Sequence, residues 1–456
     1  MKTLNQSMSS TIFDQTNYQL NYKLWENLDL TVTVREAYQG LPAEALFSMG
    51  LRVNKKRQFL FVSKLIAKHL AVSPSIALGA GSLLASLLMQ KEGLPPIPQS
   101  AQLVQMLKSG VPNPSVTKES LRHTAALPEK TVFIGMAETA TGLGHSVFQH
   151  FENAVYIHTT REQISGLEPS FVFEEEHSHA TSHKVYAPEG LLEEAEAIVL
   201  VDDEISTGNT LINLITALDE QFPGKKYTSL SILDWRNEEQ QKKFSQLAQD
   251  LKIDIAVLSL MAGHFELNHG SSPDESPIEQ LEGSSPKQPQ ELAEAEQLPY
   301  ESSTGQQYIR LTGRFGLSSK EQQAIDSWAL ETAAKLEQKL KRPLVVGIGE
   351  NMYLALRFGL ALSDDSIVQT TTRSPIFAAD QEGYPIREKA GFRLPDADGV
   401  DQFIYNLNGL DIDRIYLLAE SVSELADWGP LISYLEKKAP VEWISLTAAK
   451  RRNSTQ

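Results

Sequence analysis

The sequence predicts an α/β protein built of two halves, each a parallel β-sheet flanked by helices. Three features predict it. Short apolar runs alternate with amphipathic stretches along most of the 456 residues. One acidic, Pro/Ser/Gln-rich segment interrupts that alternation. Beyond it, two short motifs recur at a constant offset, so the second half reads as a degenerate duplicate of the first.

Taken in order, the N-terminal residues MKTLNQSMSSTIFDQTNYQL hold no apolar run long enough for a secretory signal. The most apolar stretch, 76–89, is about 14 residues long, short of the roughly 20 that a membrane span needs. It reads as a buried helix, in which Gly79 and Gly81 serve helix packing, and the protein is expected in the cytoplasm and off membranes. Apolar runs at 131–134, 154–157, 197–201, 229–233 and 253–258 read as strands of the first half, residues 10–265. Residues 266–305 carry Pro, Ser and Gln, and up to position 301 they hold nine acidic side chains against Lys287 alone. With little to bury, this stretch is expected to be a mobile linker.

The second half spans 306–450. Ser318 with Glu321 forms a capping-box signature, and Ile325, Trp328, Ala329, Thr332, Leu336 and Leu340 keep one helical face until Pro343. A strand at 344–347 follows. Gly135-Met-Ala-Glu138 recurs as Gly347-Ile-Gly-Glu350, and Thr159-Thr160-Arg161 recurs as Thr371-Thr372-Arg373; both lie 212 residues apart. Equal spacing across a whole strand–turn–helix–strand unit favours duplication over chance.

Composition narrows the chemistry. With 41 Lys and Arg against 58 Asp and Glu, the net charge of −17 disfavours a general nucleic-acid surface. The absence of cysteine excludes disulfides, thiol nucleophiles and Cys-ligated metal, leaving oxygen and nitrogen groups to act.

The most informative segment is Ile198-Val-Leu-Val-Asp202-Asp203-Glu204-Ile-Ser206-Thr207-Gly208-Asn209-Thr210, followed by an apolar helix. A buried strand delivers two carboxylates to the crevice where open α/β sheets bind ligands, a pair suited to a polyhydroxyl group. Small hydroxyl residues and a glycine then open a helix, where backbone N–H groups favour a phosphate. A phosphorylated sugar satisfies both. An ordinary strand–turn–helix with a capping Thr is the structural alternative.

These thirteen residues resemble the phosphoribosyl pyrophosphate (PRPP) signature of type I phosphoribosyltransferases. The resemblance implies that fold for the first half, with Asp202 and Asp203 holding the ribose hydroxyls and Ser206, Thr207, Gly208, Asn209 and Thr210 cradling the 5′-phosphate. Glu204 stands where most members carry an aliphatic residue; it holds the magnesium shell or a basic amine, or faces solvent. Ala137, Glu138 and Thr139 fall in the loop whose amides meet pyrophosphate, and Arg161 would add a cation there. The stretch 171–183 lies in the position of the superfamily's mobile loop, with His177 or His179 reaching ligand; three histidines beside three glutamates could also be read as a metal site, but their spacing is not specific. Magnesium is the implied cofactor, held mainly through PRPP with Asp202 and Asp203. Residues 231–236 and 256–260 resemble the strands closing the sheet in orotate-type members. Lys55-Lys56-Arg57 reads as a solvated helix end, with contact to an anion as the alternative.

Thr372-Arg373-Ser374-Pro375 is the motif that names a domain C-terminal to one phosphoribosyltransferase subfamily, so nearly the whole chain looks like that two-domain (TRSP) family of bacterial tellurite-resistance and stress clusters. The resemblance implies transfer from PRPP to a nitrogenous base, in making a nucleotide-like metabolite. Glu420-Ser421 stands in the second half where an acidic pair is expected, and no Gly-x-Thr turn follows, so this copy is expected to bind no PRPP in the usual manner. Gly347 to Glu350 with Arg373 and Ser374 are candidates for an anionic-acceptor site or a cover over the first site, the alternative being a purely structural role. The rival readings are a non-catalytic PRPP or nucleotide sensor and a scaffold, with homo-oligomers or enzymes of the same cluster as partners.

Overall fold

A computed structural model of the chain describes residues 13–26, 28–52, 58–174, 182–268, 270, 281–291, 296–336, 339–395 and 400–447. The first sheet opens with an antiparallel pair, β1 (Phe13–Trp25) and β2 (Leu28–Tyr38). In β2 the residues Leu28, Leu30, Val32 and Val34 are buried in strict alternation, the period of a strand with one covered face. Helix α1 (Pro74–Lys91) has no polar face: Pro74 through Met89 are all buried, and Ser73 caps its start by accepting from the Ser75 N–H. A Cβ on Gly81 would lie 2.4 Å from Cβ of Ser146, so the glycine sets how closely α1 approaches the next helix.

The parallel core follows: β3 (Ala125–Gly135), α2 (Ala140–Phe148), β4 (Phe151–His158), the hairpin β5 (Phe171–Glu174) and β6 (Ser182–Val185), then β7 (Ala197–Val201), α3 (Asn209–Gln221), β8 (Lys226–Asp234) and β9 (Ile255–Asn268). Their order across the sheet is β1-β2-β9-β8-β7-β3-β4. The last strand runs past the expected 258, because residues 261–268 pair with β2.

The second half contains β10 (Leu317–Ser318), α4 (Ser319–Ala334), β11 (Leu344–Gly347), α5 (Met352–Leu362), β12 (Ile367–Thr370), the hairpin β13 (Lys389–Phe392) and β14 (Gln402–Tyr405), then β15 (Ile415–Ala419) and β16 (Val441–Ser445). The capping box forms as expected, but α4 stops at Ala334, short of the predicted run to Pro343. The order β16-β15-β11-β12 repeats β8-β7-β3-β4. Register repeats too: Val132 pairs with Val155 and Leu344 with Ile367, each shifted by 212. Ala137 N–H donates to Thr159 Oγ1 at 2.8 Å, and Gly349 N–H donates to Thr371 Oγ1 at 2.9 Å. The second half thus repeats the strand order of β3 to β8, with the β3–β4 register and a matching hydrogen bond.

The copies exchange edges. Ser318 and Leu317 of β10 extend β4 of the first sheet by pairing with Val155 and Tyr156. Reciprocally, Val72 bridges Val368 of β12, with backbone hydrogen bonds of 2.9 and 2.8 Å. Tyr156 and Val368 are again 212 apart. Helices α2 and α5 meet between the sheets, where a Cβ on Gly142 would lie 2.6 Å from Met352 and the His145 ring stacks on Tyr353 at 3.7 Å. The stretch expected to be a mobile linker is in part built in: Leu281 N–H donates to Gly391 O, Gln290–Glu291 pairs with β16, and Gln297–Glu301 pairs with Gln307–Ile309. Backbone hydrogen bonds and a glycine contact, Gly283 on Gly429, fix it despite its polar side chains. No helix among the described residues is long and apolar enough to cross a membrane.

Candidate functional site

At the C-terminal end of β7 the chain leaves the sheet with Asp202 and Asp203 half-buried, and the Asp203 N–H donates to Asp202 Oδ1 at 2.9 Å. Strand β3 ends alongside, because Met136 N–H donates to Val201 O. This is a topological switch point: β3 connects onward to β4 on one side, while β7 connects to β8 on the other. The carboxylates and the 136–139 loop therefore face one crevice.

Glu204 enters a two-residue strand, Glu204–Ile205, beside β8. Ser206, Thr207, Asn209 and Thr210 are half-buried around Gly208, whose φ of 82° starts α3. Glycine is required twice over at this position. Its φ is left-handed, and a Cβ would lie 2.5 Å from Phe244 and 2.9 Å from Arg236 Cδ. Arg236 is itself fixed by two hydrogen bonds to Asp234, at 2.8 and 2.7 Å, and by stacking on Phe244. The turn thus rests on a rigid floor, with the N–H groups of a 13-residue helix opening from it.

The 136–139 loop is held from the other half. Glu138, 10% exposed at its side chain, accepts from Thr372 Oγ1 at 2.7 Å and from the Arg373 N–H at 3.3 Å. The mirror contact is present: Thr160 Oγ1 lies 2.9 Å from the Glu350 carboxylate. Lys68, which the sequence reading did not single out, reaches the same loop, donating to Thr139 Oγ1 at 2.6 Å with Glu138 Oε2 at 3.5 Å.

The equivalent crevice of the second half, between the ends of β11 and β15, leads into a small cavity of about 40 Å³ partly open to solvent. Arg161 and Arg373 both line it, with Glu138, Glu162, Glu350, Glu420 and Trp428; residues 202–210 do not. Arg161 therefore lines the second copy's cavity, as does Glu138 of the 136–139 loop. The crevice is already occupied by protein. Arg314, 3% exposed, donates to Glu350 at 3.0 Å and to Glu420 at 2.9 Å, and Ser421 Oγ accepts from the Gln307 N–H. Burial opposes the Arg314 charge, but Glu420, Glu162 and Glu350 outweigh it and hold its pKa well above the ordinary value. Burial lifts the Glu420 carboxyl against the pull of Arg314. Tyr308 donates to Glu162, and burial together with that carboxylate pushes its phenol far up.

Arg373 and Ser374 sit at the seam: Ser374 N–H donates to Thr372 Oγ1 and Ser374 O accepts from Tyr405. His177 and His179 lie outside the described residues, as do Lys55, Lys56 and Arg57. His183, on the described arm of that hairpin, is buried against Thr159 Oγ1 at 2.9 Å. Among the described residues no group of three or more His, Asp or Glu could hold a metal ion. The half-buried Asp202 and Asp203 suit magnesium, which keeps most of its shell from water and phosphate and takes one or two carboxylates.

Residues 46–264 match the phosphoribosyl transferase family PRTase_2, and residues 311–435 match the TRSP domain C-terminal to it. No curated protein matches the sequence. Similar solved structures include the adenine phosphoribosyl transferase of Trypanosoma brucei in complex with AMP, pyrophosphate and ribose-5-phosphate, at 17% identity over 28% of this chain and 55% of that one, TM-score 0.21. That of Saccharomyces cerevisiae, complexed with adenine and an imino-altritol bisphosphate, has 16% identity over 36% and 83%, TM-score 0.18. That of Leishmania donovani has 15% identity over 38% and 79%, TM-score 0.22. The chain spans about half the length of the first of these.

Proposed function

We propose, for a chain that belongs to the family pairing a phosphoribosyl transferase domain with a TRSP domain, that the first half catalyses phosphoribosyl transfer from PRPP to a nitrogenous base, releasing pyrophosphate. One observation carries this reading. Two half-exposed carboxylates end β7, and a turn with Gly208 at φ 82° opens α3 beside them.

In this reading Asp202 and Asp203 accept hydrogen bonds from the ribose 2′- and 3′-hydroxyls and fix the ring. The N–H groups and hydroxyls of Ser206 through Thr210 grip the 5′-phosphate, aided by the positive end of the α3 dipole. The backbone of Ala137, Glu138 and Thr139 faces the pyrophosphate. Magnesium, when bound, neutralises charge on the departing pyrophosphate, and Asp202 and Asp203 are the side chains that would hold it. Positive charge builds on the anomeric carbon as the bond to pyrophosphate breaks, so the residues act by positioning and electrostatic grip, with no obligatory proton transfer at the ribose. The product would be a nucleotide-like metabolite.

The test mixes protein, PRPP and magnesium with a library of bases and reads pyrophosphate release; PRPP binding without release would favour a sensor. Replacing Asp202→Asn with Asp203→Asn should weaken PRPP binding by about tenfold or more, the loss of charge-assisted hydrogen bonds. Unaltered affinity in that double variant rejects the assignment.

A further inference from the structure

We propose that Lys68 binds the pyrophosphate of PRPP, and that the second half of the chain exists in part to hold it there. The inference deepens the phosphoribosyl reading and rests on it.

The loop from Gly135 to Gly142 contains no Lys or Arg and one carboxylate, Glu138. Backbone N–H groups alone leave a diphosphate's charge largely uncompensated, and a nearby carboxylate would repel it. Both problems are met from outside the loop. Glu138 is drawn to the seam by Thr372 Oγ1 and the Arg373 N–H. The ammonium of Lys68, 11% exposed at its side chain, lies 2.6 Å from Thr139 Oγ1, the residue that opens α2. A lysine has three N–H donors. One is committed to Thr139 and the ammonium pairs with the Glu138 carboxylate at 3.5 Å, so donor capacity remains for a ligand.

The second copy shows what a cation at this place does. Lys68 lies four residues before Val72, the edge residue that bridges β12; Arg314 lies three before Leu317, the edge residue that pairs with β4. Arg314 spans its crevice from the loop carboxylate Glu350 to Glu420, at the position that follows β15 as Asp202 follows β7. In the second half, then, the cation fills the space a ligand would take. The lysine has one point charge and no planar fork, and its ammonium meets Thr139 and Glu138 on the loop side.

Lys68 is positioned by the other half. Thr370 N–H and Oγ1 donate to Ala67 O at 2.6 and 2.8 Å, and Gln369 Nε2 donates to Lys68 O at 3.3 Å. Gln369 and Thr370 are thus positioning residues.

Calorimetry on the full chain with magnesium pyrophosphate, PRPP and ribose 5-phosphate tests this. Lys68→Met should weaken pyrophosphate and PRPP about ten- to hundredfold and leave ribose 5-phosphate unchanged. Thr370→Val should weaken pyrophosphate by a few-fold only. If Lys68→Met does not fold, Lys68→Met with Glu138→Gln removes both partners of the pair and carries the same comparison. Wild-type affinity for pyrophosphate in a folded Lys68→Met variant overturns the inference and spares the phosphoribosyl reading. A wild-type protein that binds neither PRPP nor pyrophosphate overturns both.

Discussion

Replacing Arg314 by methionine would test how the second crevice is closed. The guanidinium makes hydrogen bonds of 3.2 and 3.0 Å to Glu350 and 2.9 Å to Glu420, and these carboxylates are only 10% and 12% exposed. Methionine keeps most of the volume and removes the charge, leaving two carboxylates close together without their shared cation. Removing one partner of a buried ion pair costs about 3–5 kcal/mol. In a chain of this length that lowers the melting temperature by roughly 3–5 °C. The loss should depend on pH. Burial already raises the Glu420 pKa above 4.5, and losing Arg314 raises it further. A carboxyl with a raised folded pKa contributes its full stability below the unfolded value, and that contribution is lost as pH rises through the folded one. The deficit of Arg314→Met relative to wild type should therefore be largest near pH 8 and shrink toward pH 5. Urea denaturation at both pH values measures it. A deficit under about 1 kcal/mol at pH 8, or one equal at both, refutes the account; adding Glu350→Gln and Glu420→Gln should restore part of the stability.

Other outcomes follow from the same geometry. Gly208→Ala forces a left-handed φ and a 2.5 Å contact on Phe244, so ribose 5-phosphate affinity should fall about tenfold and stability by about 2–3 kcal/mol; calorimetry and denaturation that register neither would show the turn to be pliable. Gly81→Val drives a side chain into the backbone of Ser146 and should lower the thermal midpoint through about 1–3 kcal/mol of overpacking, read by calorimetric melting. His69, His145, His150 and His158 are all buried, and burial is the main cause holding each below its ordinary pKa, to about 4 for His150 and about 3 for His158. The unfolded chain takes up these protons as pH falls below about 6.5, so each histidine should cost up to about 1.4 kcal/mol per pH unit there. A urea midpoint that stays level between pH 7 and 5 would contradict this.

The strand–turn–helix at 197–221 was legible because its chemistry is contiguous: a strand, two carboxylates and a glycine turn fall in one run of sequence. The duplication was legible because its offset is gap-free across β3 to β4. Four features escaped for physical reasons. The alternation of Leu28, Leu30, Val32 and Val34 marks a one-sided strand, and a search for continuous apolar runs passes over it. Residues 281–291 are fixed by backbone contacts, which leave no trace in side-chain composition. The exchanged edges depend on single residues, Val72 and Leu317, whose partners are nearly 300 and about 160 residues away, beyond any local pattern. Lys68 carries no motif, and its correspondence to Arg314, each ahead of a serine-capped helix, becomes visible only once the copies are superposed in register.

The lending of an edge by each half to the other has a further consequence. Cut apart, each fragment would present a bare strand to solvent and invite aggregation, so the two should be recoverable only when produced together. Joining them in one polypeptide guarantees a permanent one-to-one stoichiometry. Under that guarantee a gene duplicate can surrender its own reactive pocket to an arginine and still be retained, because its neighbour cannot be assembled without it.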